Sequence, residues 1–246
     1  MAPDKDSRRR EHDFVQWLDS VKTDSAAIFL LGDMFDFWFE YRHVVPRGFV
    51  RFLSKLAELT DNGIPVYFFT GNHDQWIRNY LSYEINIQIF RKQTEFIIND
   101  KLFLIGHGHD ICPENLADRI LNSVFSSRIL RVLYASIHPL WGIALGKNWS
   151  KESRRRHGLT EPFKGLEKEF IYKYVKKIFA EKYYDFFVFG HRHLALDIQM
   201  GENSHYINTG EWLYAQTYAV FDGKNVSLHS FKGQDEKIIR VNILSL

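Results

Sequence analysis

Four short runs of apolar residues stop abruptly at glycine, and polar residues follow at once. Residues 26–31 (AAIFLL) run into Gly32-Asp33, and 64–69 (IPVYFF), then Thr70, into Gly71-Asn72-His73-Asp74. Residues 102–105 (LFLI) run into Gly106-His107-Gly108-His109, and 186–189 (FFVF) into Gly190-His191-Arg192-His193. Short apolar runs bounded by glycine predict buried strands. Between them lie apolar positions at helical spacing: Phe14, Trp17, Leu18 and Val21; Phe49, Phe52, Leu53, Leu56 and Leu59; Phe170, Tyr174, Val175, Ile178 and Phe179. Strands alternating with helices predict an α/β layered sheet, whose ligands gather outside the carboxyl ends of the strands. Toward the carboxyl terminus the runs 204–208, 218–221 and 225–230, with a hairpin-turn signal at Asp222-Gly223, predict a largely antiparallel second sheet.

Residues 110–165 interrupt this pattern. Leu116, Ile120, Val124 and Phe125, then Ile129, Val132 and Leu133, suit amphipathic helix. Within it, residues 119–156 carry Arg119, Arg128, Arg131, Lys147, Lys151, Arg154, Arg155 and Arg156 against one acidic residue, Glu152. Two readings stand side by side: an ordinary solvated insertion, or a lid that binds an anionic, partly apolar ligand or a membrane surface.

Composition narrows the classes. With 246 residues, 45% hydrophobic, the chain has material for one sizeable domain spanning 1–246, with the helical insertion inside it. A net charge of +2 gives no global drive toward nucleic acid, which is not expected as a partner, and no obligate protein partner is inferred. The single cysteine, Cys112, rules out an intrachain disulfide and argues against a thiolate zinc site. Residues 1–10 lack the apolar segment of a signal peptide, and no apolar run reaches the roughly 20 residues of a membrane span. The expected location is the cytoplasm, with peripheral contact to the inner face of a membrane.

The strand ends then supply Asp33, Asn72, His107, His191 and His193. Any one of these polar clusters alone reads as an ordinary turn. Together they offer oxygen and imidazole donors without thiolate, a set suited to manganese, iron or zinc. Alternation along His191-Arg192-His193 would place both imidazoles on one side of an extended chain.

Gly32-Asp33-x-x-Asp36, Gly71-Asn72-His73-Asp74, the lone His107 after a strand, and Gly190-His191-x-His193 resemble the ordered motifs of the calcineurin-like metallophosphoesterases. The resemblance extends over most of the chain and implies a four-layer α-β-β-α sandwich of two mixed sheets. It implies two divalent metals, Mn²⁺ being the expected ion. Asp33 would bridge them, Asn72, His107 and His191 would complete one site, and His193 would join the other. His73 would lie beside the phosphate with Asp74 orienting it. Within the superfamily the chain is most similar to the UDP-2,3-diacylglucosamine diphosphatases of lipid A biosynthesis, on Gly32-Asp33-Met34-Phe35-Asp36-Phe37-Trp38, the basic helical insertion and Ser150-Lys151-Glu152. That implies hydrolysis of a UDP-linked acylated sugar to UMP and the diacylated sugar 1-phosphate, with Asn72, His73, Asn115, Ser150, Arg154, His157 and His191 lining the substrate. Asn115, Arg154 and His157 differ in type from the family's usual residues. His73 stands where some members have arginine, and His109 where aspartate is usual.

The family pattern also has a first strand ending in Asp-x-His, two ligands of the first metal. Met1-Ala2-Pro3-Asp4-Lys5 leads directly into the helix of Phe14 and Trp17, and Asp4-x-Asp6 lacks a strand to hold it. The expectation is a truncated chain or misplaced start codon, one well-held metal and a crippled second site. Two alternatives remain beside the leading reading: a phosphodiesterase or nucleotide phosphatase of other substrate, and a degenerate member acting as a binding protein.

Overall fold

A computed structural model describes residues 6–111, 127–157 and 162–242, the side chains of 153–157 excepted. The chain divides into two compact units, residues 1–91 with 115–158, and residues 92–114 with 159–246.

The first unit contains α1 (Ser7–Val21), β1 (Ile28–Leu30), α2 (Val50–Asp61), β2 (Val66–Phe69), α3 (Tyr80–Ile85) and β3 (Gln88–Phe90), and later α4 (Arg128–Ala135) and α5 (Pro139–His157). Its described strands form a three-stranded parallel sheet in the order β1-β2-β3, with Ile28 opposite Val66 and Tyr67 opposite Gln88. Parallel strands require crossovers, which α2 and α3 supply. The spacing of Phe14, Trp17 and Leu18 turns one face of α1 into the core, where Phe14 meets Phe52 of α2 edge-on at 5.4 Å. Phe49 caps α2 in a left-handed conformation and offers its amides no side-chain acceptor. Glu11 of α1 fills the gap, accepting from Arg51 N and Phe52 N at 3.1 and 3.3 Å. This satisfies orphan donors and places negative charge at the positive end of the helix.

α4 and α5 occupy part of the stretch expected to be a helical insertion; Leu116, Ile120, Val124 and Phe125 lie outside the described residues. The insertion is not merely solvated. Tyr134 of α4 packs against Trp76 at 4.8 Å and Phe39 at 4.7 Å, and burial pushes its phenol up to about 12.

The second unit contains β4 (Thr94–Ile98), β5 (Lys101–Gly106), α6 (Phe170–Glu181), β6 (Phe186–Phe189), β7 (Ala195–Gln199), β8 (His205–Thr209), β9 (Thr217–Phe221), β10 (Val226–Ser230) and β11 (Ile239–Asn242). Six of these strands form a mixed sheet in the order β11-β7-β8-β6-β5-β4. The core strand β6, read in full from the sequence, is buried at every residue and runs parallel to both β5 and β8. Ile171, Tyr172 and Val175 of α6 pack with Phe187, Phe189, Leu196, Ile198 and Tyr206 to make the core.

β9 and β10 form the expected antiparallel hairpin, its turn fixed by Asp222 Oδ1 accepting from Lys224 N and Asn225 N, both at 2.8 Å. The run 204–208, however, joins the mixed sheet as β8, parallel to β6 and antiparallel to β7. Its fully buried Tyr206 and Ile207 belong to the core around β6, which outweighs pairing with the following hairpin.

Candidate functional site

In the first unit, β1 and β2 lie side by side and parallel, so their carboxyl ends deliver Gly32-Asp33 and Gly71-Asn72-His73-Asp74 to the same edge of the sheet. Asp33 adopts a left-handed backbone (φ 53°), a conformation aspartate tolerates better than most residues. Gly71 passes so close that an added Cβ would lie 2.7 Å from Asp33 Cγ and from Asp33 N. His73 N donates to Asp33 Oδ1 at 2.8 Å, which orients the carboxylate.

Asp74 is fully buried. Its Oδ1 accepts from Gly71 N at 2.7 Å, and its Oδ2 from Met34 N at 2.9 Å and Phe35 N at 3.5 Å. These bonds clamp the two strand-end loops to one another. Asp74 is expected to orient His73, but the His73 ring has other partners. Its Nδ1 lies 3.1 Å from the carbonyl oxygen of Asp36 and 3.0 Å from Ser150 Oγ, and Ser150 Oγ donates to Asp36 Oδ1 at 2.9 Å. Trp149, next to Ser150 on α5, lies 5.7 Å from the His73 ring. Ser150 is itself fully buried. Asn72 sits half-buried between Gly71 and His73.

In the second unit the parallel pair β5 and β6 brings Gly106 opposite Phe189, so the two histidine motifs emerge together. His191 Nδ1 and His107 Nε2 are 3.2 Å apart, with the rings at 66°. His109 joins the cluster, its ring 5.3 Å from that of His107. Gly190 N donates to His107 O at 3.0 Å, and Asn208, buried on β8, donates to Gly190 O. Arg192 forks onto the buried Glu169, with Nε donating to Oε2 at 2.9 Å and Nη2 to Oε1 at 3.0 Å. Gly108 has φ 113°, and a Cβ there would lie 2.8 Å from Ile171 Cδ1, so only glycine carries the chain past α6.

The expectation that His191 and His193 project from one side of an extended strand does not hold. β6 ends at Phe189, Arg192 N bonds back to Gly190 O at 2.7 Å, and His191 is left-handed (φ 65°). The two imidazoles are carried on a tight turn, where strand alternation does not apply. Asn115 lies outside the described residues, as do the side chains of Arg154 and His157. Asp36, Arg192, Glu169 and Asn208 are functional neighbours that the motifs do not assign. Asp36 was visible within the Gly-Asp-x-x-Asp motif, whereas Glu169 and Asn208 are remote in sequence and give no local signal.

The donors fit a divalent cation of the hard-to-borderline class. The 3.2 Å gap between the facing nitrogens of His107 and His191 is close to the edge of a tetrahedral imidazole site, about 3.3 Å for metal–nitrogen bonds of 2.0–2.1 Å. Asp33 in the first unit presents an ordered carboxylate of the kind such ions take.

A model of the calcineurin-like phosphoesterase family matches residues 8–195. A protein of Porphyromonas gingivalis called UDP-2,3-diacylglucosamine hydrolase is 34% identical over 238 residues, which cover 92% of this chain and 91% of that one. A protein of Shewanella baltica with the same name is 24% identical over 225 residues, 88% of each chain. One from Vibrio vulnificus, again so named, is 26% identical over 124 residues, about half of each (50% and 51%).

Proposed function

From the premise that this chain belongs to the calcineurin-like phosphoesterase family, we propose that it cleaves the diphosphate of UDP-2,3-diacylglucosamine, releasing UMP and 2,3-diacylglucosamine 1-phosphate. That it is a metal-dependent phosphoester hydrolase follows from the family and its hydrolase-named relatives. The observation that carries the substrate is the 34% identity sustained over nine-tenths of both chains with a relative of that name.

Asp33, Asn72, His107 and His191 are proposed as the ligands of one ion, with Asp33 and His193 contributing to a second. When bound, divalent ions of this kind supply a water of lowered pKa and positive charge for the phosphoryl oxygens. Mn²⁺ is the proposed ion. The reaction places a water oxygen on the α-phosphorus and breaks its bond to the bridging oxygen. His73 is the residue proposed to address the phosphate oxygens.

α4 and α5 are proposed as the lid over the acyl chains. Ile129, Val132 and Leu133 on α4, with Leu140, Trp141 and Leu145 on α5, are all more than half exposed. Arg128, Arg131, Lys147 and Lys151 accompany them. Each acyl CH₂ covered there is worth about 0.8 kcal/mol. The same surface supports peripheral attachment at the cytoplasmic face of a membrane, and no helix among the described residues is long and apolar enough to cross one.

The test compares UDP-2,3-diacylglucosamine, its deacylated form and bis(p-nitrophenyl) phosphate at saturating Mn²⁺. Preference for the acylated nucleotide sugar by more than about tenfold in kcat/KM is expected, since even two buried CH₂ groups supply that much. Equal rates with and without the acyl chains would reject this substrate.

A further inference from the structure

We propose that Arg78, Arg91 and Arg131 form a phosphate-binding site beside α4, built from residues that take no part in the metal centre or in cleavage of the diphosphate. The proposal goes beyond the substrate reading above and does not depend on it.

The three arginines come from separate parts of the first unit, and aromatic packing brings them together. Arg91 directly follows β3 and reaches back to the segment after β2. There its Nη2 donates to Ile77 O at 2.7 Å and its Nη1 to Gln75 O at 3.3 Å. Between those two carbonyls stands Trp76, whose ring packs on Tyr134 of α4 at 4.8 Å. Arg131 precedes Tyr134 by three residues, so the two are neighbours on the helix surface. Arg78 directly follows Ile77 and is exposed. The seat of α4 on Trp76 therefore carries Arg131 to the loop that Arg91 holds. The proximity shows in the Arg91 guanidinium. Desolvation first, and then the charges of Arg131 and Arg78, hold its pKa below the ordinary arginine value, with Glu40 opposing them.

What the cluster lacks is an anion. Among the described residues no carboxylate forms an ion pair with any of the three arginines. Glu40, the carboxylate whose charge reaches Arg91, is buried and already engaged. Its Oε1 accepts from Trp38 Nε1 at 3.2 Å, and its Oε2 from Asn79 N and Tyr80 N at 3.0 and 3.2 Å. Arg131 Nε is buried without a hydrogen-bond partner. A buried donor left unpaired is unfavourable, and so is a gathering of like charges. An oxyanion between the guanidinium groups relieves both. Phosphate fits, because its oxygens accept the paired N–H bonds of a guanidinium fork. Two sources carry that group: the headgroup of an anionic phospholipid, and free phosphate. Ile129, Val132 and Leu133, exposed on the same helix, favour the lipid, since a membrane surface would cover them.

The experiment uses the full chain with Mn²⁺ bound and no substrate, in two arms. One measures sedimentation with phosphatidylcholine vesicles, with and without phosphatidylglycerol. The other titrates inorganic phosphate calorimetrically. Arg131→Lys and Arg78→Lys keep every charge and lose the fork, whereas Lys177→Gln removes an exposed charge on α6. Arg131→Lys should weaken binding about fivefold or more in at least one arm, the loss of one charge-assisted hydrogen bond. Arg78→Lys should move it in the same direction, and it serves alone if Arg131→Lys does not fold. Lys177→Gln should stay near wild type. A loss in the vesicle arm makes a lipid headgroup the source, and a loss confined to the phosphate arm makes it the free anion. Binding that both lysine variants leave unchanged in both arms overturns the site, because it then follows total charge or the metal centre. A wild-type chain that binds in neither arm overturns it as well. Neither arm contains UDP-2,3-diacylglucosamine, so failure to hydrolyse that compound would reject the substrate assignment and leave this site standing.

Discussion

Replacing Asp74 by asparagine changes no volume and removes one acceptor, so it isolates the clamp between the strand-end loops. The two short bonds reach opposite oxygens: Gly71 N to Oδ1 at 2.7 Å and Met34 N to Oδ2 at 2.9 Å. An asparagine has only one acceptor oxygen. Whichever way its amide turns, an NH₂ group then faces one of the backbone N–H groups. One charge-assisted bond is lost, about 1.5–3 kcal/mol, and the other becomes an ordinary amide bond, about 1 kcal/mol weaker. Since Asp74 is fully buried, water does not rescue the orphaned donor. The sum, about 2.5–4 kcal/mol, is a large part of the 5–15 kcal/mol that stabilises a typical domain. Asp222 supplies the contrast: its two backbone donors both go to Oδ1, which asparagine retains. Urea unfolding followed by tryptophan fluorescence should show Asp74→Asn shifted down by about 1 M or more at an m-value near 3 kcal/mol/M. Asp222→Asn should stay near the wild-type midpoint. Equal midpoints for the two variants would refute the clamp.

Arg192→Lys keeps the charge and loses the fork onto Glu169; a decrease of about 1–2 kcal/mol in unfolding free energy and weaker Mn²⁺ binding by calorimetry are expected, because the 190–193 turn is then anchored on one side only. Asp185 predicts acid sensitivity. Burial raises its pKa, but hydrogen bonds from Leu102 N and Lys101 outweigh that and hold it below the ordinary value of 3.8. A carboxylate depressed in the folded state stabilises above its unfolded pKa, and that contribution disappears as pH falls through the folded value. Stability followed from pH 6 to pH 2 should fall below about pH 4 in the wild type and show less of that slope in Asp185→Asn. On the lid, Trp141→Asp should lower kcat/KM for the acylated substrate by roughly tenfold or more and leave bis(p-nitrophenyl) phosphate hydrolysis unaltered, if the exposed apolar face takes acyl chains.

Much of the site was legible because its residues follow strands that are simple to read. β2 and β6 are continuous apolar runs ended by glycine, and parallel pairing carries the motif after each to the edge of its sheet. Edge and short elements were less visible. β3 has three residues, and β4 is an edge strand whose Ile97 is 77% exposed, so neither shows a buried run. The turn joining β4 to β5 uses Asn99 and Asp100, both left-handed, without the glycine that usually signals such a turn. Gly142 and Gly146 read locally as weak points in a helix, yet they are where aromatic rings of a distant loop pack. The meeting of the His191 and His107 rings and the contact of Ser150 with His73 join residues 84 and 77 apart, beyond the reach of any local pattern.

The central claim, attack by water on the α-phosphorus of UDP-2,3-diacylglucosamine, is tested most directly by hydrolysis in H₂¹⁸O at saturating Mn²⁺ with mass analysis of both products. The label should appear in UMP and be absent from 2,3-diacylglucosamine 1-phosphate. Label in the sugar phosphate, or UMP formed at the same rate after chelation of all divalent metal, would contradict it.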